Sequence, residues 1–84
     1  MLDKNYMETV LKTWWGIYAE YNKKLNNAYL PQSVRKIYEK QSAEAKERAE
    51  AWEDVFLGYG YYTIHSYGGE IEVIHVNDLD KIPF

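Results

Sequence analysis

The side chains best suited to chemistry or recognition are concentrated in the stretch YGYYTIHSYGG, residues 59–69. This stretch holds four tyrosines and His65, and the second histidine of the chain, His75, follows ten residues later. Histidine can bind a metal or transfer protons, and tyrosine offers a large contact area with few rotatable bonds. The stretch could therefore serve a metal site, a catalytic centre or a binding surface.

Neither a metal site nor a catalytic centre is predicted. The predicted hairpin places His65 and His75 on opposite faces, whereas metal ligands must converge on one point. The chain has no cysteine and three serines, and it lacks the motifs of serine nucleophiles, phosphate loops and dinucleotide binding. We therefore expect no enzyme activity, no metal and no cofactor, and we favour a surface pair between His65 and Glu72 on neighbouring strands.

Two long helices must position this stretch. Apolar residues that recur every three or four positions predict one helix over about residues 4–28 and another over about residues 32–57. Asp3 is the expected N-cap of the first helix, Pro31 fits the first turn of the second, and Gly58 is its expected left-handed C-cap.

The short segment between the two helices predicts that they pack as antiparallel neighbours. Trp14 is then expected opposite Ala45, and Leu11 opposite Ala49. Large side chains on one helix would face alanines on the other, which is what a densely packed core requires.

A β-hairpin is predicted over about residues 60–76, and a tail over residues 77–84. A two-residue turn at Gly68 and Gly69 pairs His65 with Glu72 and Thr63 with Ile74. The outer, solvent-facing side would then carry the polar and aromatic set Tyr61, His65, Tyr67, Glu70 and Glu72. The inner side would carry the more apolar set Tyr62, Ile64, Ile71, Val73 and His75. A three-residue turn is the alternative, and it would reverse the faces of one strand.

The charge of the chain is unevenly distributed. The net charge is −3, but residues 1–38 sum to +3 and residues 39–84 to −6. The second helix contributes acids to the negative half, among them Glu47, Glu50 and Asp54. Four basic residues near the inter-helix turn could contact phosphates, but no nucleic-acid-binding motif accompanies them, and we do not expect direct nucleic-acid binding. An acidic surface of this kind suits a positively charged protein partner.

These features resemble, in composition along the whole chain, the small inhibitor proteins that phages encode against bacterial defence nucleases, anti-CRISPR proteins among them. Such proteins are often short, acidic, single-domain and free of catalytic motifs. The resemblance implies an inhibitor that blocks a nucleic-acid-handling host protein, and it transfers no functional residue.

The sequence thus predicts one α+β domain over residues 1–84, an antiparallel two-helix hairpin followed by a β-hairpin packed on it. Its expected role is a protein-binding module. The expected contact residues are Tyr61, His65, Tyr67, Glu70, Glu72, Glu47, Glu50 and Asp54. The N-terminus lacks a signal-peptide pattern and no apolar run is long enough to span a bilayer, so we expect a cytoplasmic protein without a membrane partner.

Two rival functions remain open at this point. The first is a self-associating protein that forms a homodimer through the hairpin edge, Trp15 and the tail. The second is a small-ligand binder, for example of nucleotides, with a pocket lined by tyrosine and tryptophan between the hairpin and the helices.

Overall fold

The computed structural model describes residues 3–66 and 70–81 of the chain, and it confirms the α+β class. Helix α1 spans Lys4–Leu25 and helix α2 spans Gln32–Gly58. Strands β1 (Tyr61–His65) and β2 (Ile71–His75) form an antiparallel two-stranded sheet, and a 3₁₀ helix, Val76–Lys81, follows. The helices pack against each other along their length, β1 contacts α2, and β2 contacts α1.

The start of α1 and the turn after it are fixed by hydrogen bonds from side chains. The Asp3 carboxylate accepts the backbone N–H of Asn5 at 3.1 Å, which confirms the predicted N-cap. At the other end, the Arg35 guanidinium donates to the carbonyls of Leu25, at 3.0 Å, and Asn27, at 2.9 Å. Because the last carbonyls of a helix lack partners within it, Arg35 stabilises the end of α1 at Leu25, before the predicted boundary near residue 28.

The end of α2 differs from the prediction in its glycine. Gly58 is the last residue of the helix, and the residue with a left-handed backbone is Gly60, at φ 89°. Pro31 lies one position earlier than expected, as the residue that precedes α2. Gly60 turns the chain from the helix into β1, and its carbonyl accepts the N–H of Val76 at 2.7 Å, which extends the pairing of the two strands.

The core lies where the helix pair meets the sheet. Its buried side chains are Met7, Leu11, Phe56, Ile71 and Val73. The two alanines that the sequence placed between the helices are also buried, Ala45 at 2% exposure and Ala49 at 0%. The prediction that the helices pack closely over small residues is therefore confirmed.

Two positions of the helix pair differ from the predicted packing. The ring of Trp14 remains half-exposed and does not join the buried cluster. Helical spacing from Ala45 also predicts an inward-facing Gln41, but Gln41 is exposed and the neighbouring Ser42 is buried instead. Ser42 can be buried because its hydroxyl donates to the Asn22 side-chain oxygen at 2.9 Å, so no polar group is left without a partner.

The hairpin register is shifted by one residue from the predicted one. Thr63 pairs with Val73 rather than with Ile74, and His65 pairs with Ile71 rather than with Glu72. The predicted turn at Gly68 and Gly69 lies outside the described residues, but the Ser66 N–H donates to the Glu70 carbonyl at 3.0 Å. This is the register that a three-residue turn would produce, and it reverses the faces of β1.

Gly16 and Gly60 lead to a pair of opposite predictions. An added Cβ at Gly16, in the middle of α1, would meet no atom within 4 Å, whereas at Gly60 it would lie 3.2 Å from His75 Nε2. Gly16→Ala should therefore raise the free energy of unfolding by about 0.5–1 kcal/mol, because alanine restricts the unfolded chain and favours helix.

Gly60→Ala should lower the free energy of unfolding by about 1–2 kcal/mol, because the substituted residue would keep a left-handed backbone. Urea unfolding of both variants in dilute solution measures the two effects. A change of the same sign in both would contradict the placement of these glycines.

Candidate interaction surfaces

The sheet displays an apolar face to solvent, which we call the outer hairpin face. It consists of Tyr62 and Ile64 on β1 and of Glu72 and Ile74 on β2, where Tyr62 pairs with Ile74 and Ile64 with Glu72. Tyr62 is 42% exposed and Ile64 is 37% exposed, and Ile74 is half-buried. A strand normally turns such side chains towards a core, so the exposure of Tyr62 and Ile64 on one face of the sheet is a feature of interaction sites.

Tyr61 is predicted on the outer side of the hairpin, and this placement is wrong. It faces the helices and packs against the buried cluster, with its ring edge-on to His75 at 4.8 Å between centroids. Sequence reasoning assigned Tyr62 and Ile64 to the core in its place. The signal that could have found them was the three-residue turn, which exchanges Tyr61 and Tyr62 between the two faces.

His65 also lies on the inner side, and its partner is not Glu72. Its Nε2 atom lies 2.9 Å from Glu53 Oε1, on α2. The same carboxylate oxygen accepts the indole N–H of Trp15, on α1, at 2.6 Å. The Trp15 and His65 rings meet edge to face at 5.2 Å. One carboxylate thus connects β1 to both helices, and we call these three residues the Trp15–Glu53–His65 cluster.

The acidic residues at the hairpin remain available at the surface. Glu70 and Glu72 are exposed, and Glu72 forms an ion pair with Lys4 at 3.7 Å, with both side chains mostly in solvent. Such an exposed pair contributes little stability and can exchange partners. Tyr67, another predicted contact residue, lies outside the described residues.

The predicted acids of α2 form a separate exposed stripe. Glu47, Glu50 and Asp54 are spaced by three and four residues, which places them on one side of the helix, and all three are exposed. Lys46 lies 4.0 Å from Glu50 and partly offsets the charge of the stripe. The stripe and the two hairpin acids give this half of the molecule its negative character.

The two edges of the sheet differ in their availability. The Val73 N–H, which points away from β1, donates to the Glu8 carboxylate of α1 at 3.2 Å. Thr63 occupies the equivalent position on β1, directly opposite Val73, and no described group bonds its amide. The central outward amide of β2 is therefore occupied by α1, whereas the equivalent amide of β1 is open.

A third surface is a groove of about 690 Å³ along the helix pair. Two smaller pockets, of about 440 Å³ and 400 Å³, lie between the hairpin and α1, where a ligand site stays a prediction. All lining residues of the groove itself belong to α1 and α2. Trp15 does not line it, because Trp15 is bonded within the Trp15–Glu53–His65 cluster. The predicted use of Trp15 in a dimer interface stays a prediction, and its ring already has partners within the chain.

The two histidines lie on the same face of the sheet, not on opposite faces, but at its two ends. His65 pairs with Ile71 near the turn, and His75 pairs with Tyr61 at the far end. Within the described ranges, no group of three or more histidine, aspartate and glutamate side chains is placed to hold a metal ion.

The comparisons with known proteins identify no family for this chain. No protein-family model, no curated protein and no solved structure matches the chain. Across residues 3–66 and 70–81, neither helix has both the length and the apolar character that crossing a bilayer requires.

The Trp15–Glu53–His65 cluster predicts an unequal effect of two glutamate substitutions on α2. Glu53→Ala should lower the free energy of unfolding by about 1–2 kcal/mol, because it leaves a partly buried indole N–H without an acceptor and frees His65. Glu50→Ala is the matched control on the same helix, and the loss of its exposed pair with Lys46 should cost less than about 0.5 kcal/mol. Urea unfolding measures both, and equal values would show that the cluster does not hold the hairpin.

Proposed function

We propose that the protein is a binding module for another protein and that the outer hairpin face is its contact surface. The observation that carries this proposal is the exposure of Tyr62 and Ile64 on the solvent side of the sheet. Protein interfaces commonly have an apolar centre with aromatic residues and a polar rim. The outer hairpin face has this composition, because Glu70 and Glu72 border its apolar side chains.

The charge of the surroundings indicates the character of the partner. The exposed acids Glu70 and Glu72, with the stripe of Glu47, Glu50 and Asp54 on α2, favour a positively charged partner surface. Basic surfaces of this kind are typical of proteins that bind nucleic acids. We therefore propose an inhibitor that covers the nucleic-acid-binding surface of a larger protein in the cytoplasm of a host cell, as the compositional resemblance to phage-encoded inhibitors also suggests.

The open edge of β1 supports a strand-to-strand component of binding. An extended segment of the partner could pair with the free backbone groups at Thr63 and thus add a third strand. A two-stranded sheet is marginal in water, and a third strand would lengthen the hydrogen-bonded network beside the outer hairpin face. Backbone pairing would supply affinity, and the side chains of Tyr62 and Ile64 would supply selectivity.

The test is capture of a partner from a lysate of the native host by immobilised protein, with two isoleucine variants compared with the wild type. Ile64→Lys places a charge in the outer hairpin face, and Ile37→Lys makes the same change on α2, at an isoleucine that is 56% exposed. A partner of the proposed kind should be retained by the wild type and by Ile37→Lys. Its affinity for Ile64→Lys should fall about tenfold or more, as expected when a central interface residue is lost. A partner that binds both variants equally would exclude this face.

The proposed charge complementarity yields a separate prediction for the captured partner. The double variant Glu70→Lys, Glu72→Lys should bind it at least about tenfold more weakly, because two attractive charges become repulsive. A double variant with the same charge change on the helices, Glu20→Lys with Glu39→Lys, should keep most of the affinity. Surface plasmon resonance at two salt concentrations measures both, and unchanged binding of the hairpin variant would show that the partner does not recognise these acids.

A further inference from the structure

The groove along the helix pair has the character of a packing surface. Its central wall is formed by Trp14, Ile17 and Tyr21 of α1, and Ala45 of α2 lies beside them. The three residues of α1 recur at helical spacing, so they form one continuous side of the helix. Gly16 borders the groove and leaves open space, since nothing lies within 4 Å of the position of its absent Cβ. A second helix could therefore approach this wall closely.

Two cationic side chains lie over aromatic rings of this region and form no ion pair with a described acid. The Arg48 guanidinium lies 5.0 Å from the centre of the Trp14 ring, and Lys24 Nζ lies 5.3 Å from that of Tyr21. Neither cation forms an ion pair with a described residue. A cation above an aromatic face is worth about 0.5–1 kcal/mol at an exposed site, so these side chains cover the rings only weakly.

The molecule exposes more surface than its mass requires. Its accessible surface is 6374 Å² for 10.0 kDa, whereas a compact monomer of this mass exposes about 5,200 Å². Its radius of gyration is 15.4 Å, compared with about 12 Å for a compact domain of this length. The excess, roughly 1,100 Å², reflects an elongated shape of 48 × 26 × 16 Å, whose long side is large enough to bury the roughly 800 Å² that each partner contributes to a stable interface.

The charges at the groove indicate which occupant fits. Glu20 and Glu44 line it together with Lys24 and Arg48, so the groove is neutral although the chain carries −3. A strongly charged partner would gain no net electrostatic attraction from such a surface. A second copy of the same surface brings an equally neutral set of charges and the same apolar wall, so that two copies can associate without net repulsion.

We infer that a second copy of the chain occupies this groove, so that two helix pairs pack face to face as a four-helix arrangement. Helix pairs joined by short loops commonly pack in this way around an apolar seam. The inference is independent of the proposed function. The outer hairpin face contributes no residue to the groove, so it stays available to another protein in the dimer.

The experiment measures molecular mass by sedimentation equilibrium over about two decades of protein concentration, so that a dissociation constant in the micromolar range is accessible. The wild type should approach twice its chain mass of 10.0 kDa at the upper end. Ile17→Lys should weaken the dimer about tenfold or more, because it places a charge at the centre of the wall. The free monomer should tolerate this lysine, since Glu20 and Glu44 line the same groove. Circular dichroism of the dilute variant checks that it is folded.

Ile64→Lys is the matched control, because it introduces the same charge at the outer hairpin face and should leave the dimer unchanged. A wild type that stays monomeric throughout, or a dimer weakened equally by both substitutions, would overturn the inference. Loss of partner capture with Ile64→Lys, together with an intact dimer, would separate the two surfaces. The reverse result, capture without dimerisation, would contradict only the dimer.

A second readout uses the absence of cysteine in the chain. Thr13→Cys adds one exposed thiol at the border of the groove, and Tyr62→Cys adds one at the outer hairpin face. With a spin label at each position in turn, a dimer through the groove should give a shorter intermolecular distance for position 13 than for position 62. The opposite order would place the interface at the hairpin and contradict the inference.

Discussion

A two-stranded sheet has too little pairing to be stable by itself in water, and the hairpin of this protein therefore depends on how it packs against the helices. Ile71 and Val73 of β2 enter the core beside Met7, Leu11 and Phe56. On β1, the contact of Tyr61 with the core and the bond of His65 to Glu53 fix which side faces inward. Every surface that the hairpin presents to solvent follows from this packing, including the exposure of Tyr62 and Ile64.

Much of the architecture could be predicted from residue patterns, because those patterns have a direct physical cause. The helical spacing of apolar residues predicts the two helices, and the carboxylate of Asp3 predicts where α1 begins. The alanines at 45 and 49 predict where the helices pack closely. The acids of α2 were also placed correctly on its exposed side, since a charged residue at helical spacing from the core positions has few alternatives.

The face of β1 could not be predicted in the same way. Tyr61 and Thr63 alternate with Tyr62 and Ile64, and both sets are compatible with a buried or an exposed side, so periodicity does not distinguish them. The choice depends on contacts between residues far apart in the chain, such as His65 with Glu53. The same limit applies to Trp14 and Trp15, adjacent rings of which one borders the open groove and the other bonds to Glu53.

The bond from the Val73 amide to Glu8 has a consequence for how far any strand pairing can continue. A sheet with two free sides can recruit a strand on each, and the process then repeats without limit, as it does in fibrils. Here one side is already occupied by a carboxylate from the chain itself. Extension of this chain's sheet is therefore directed to the β1 side, so a partner strand has one defined place to add.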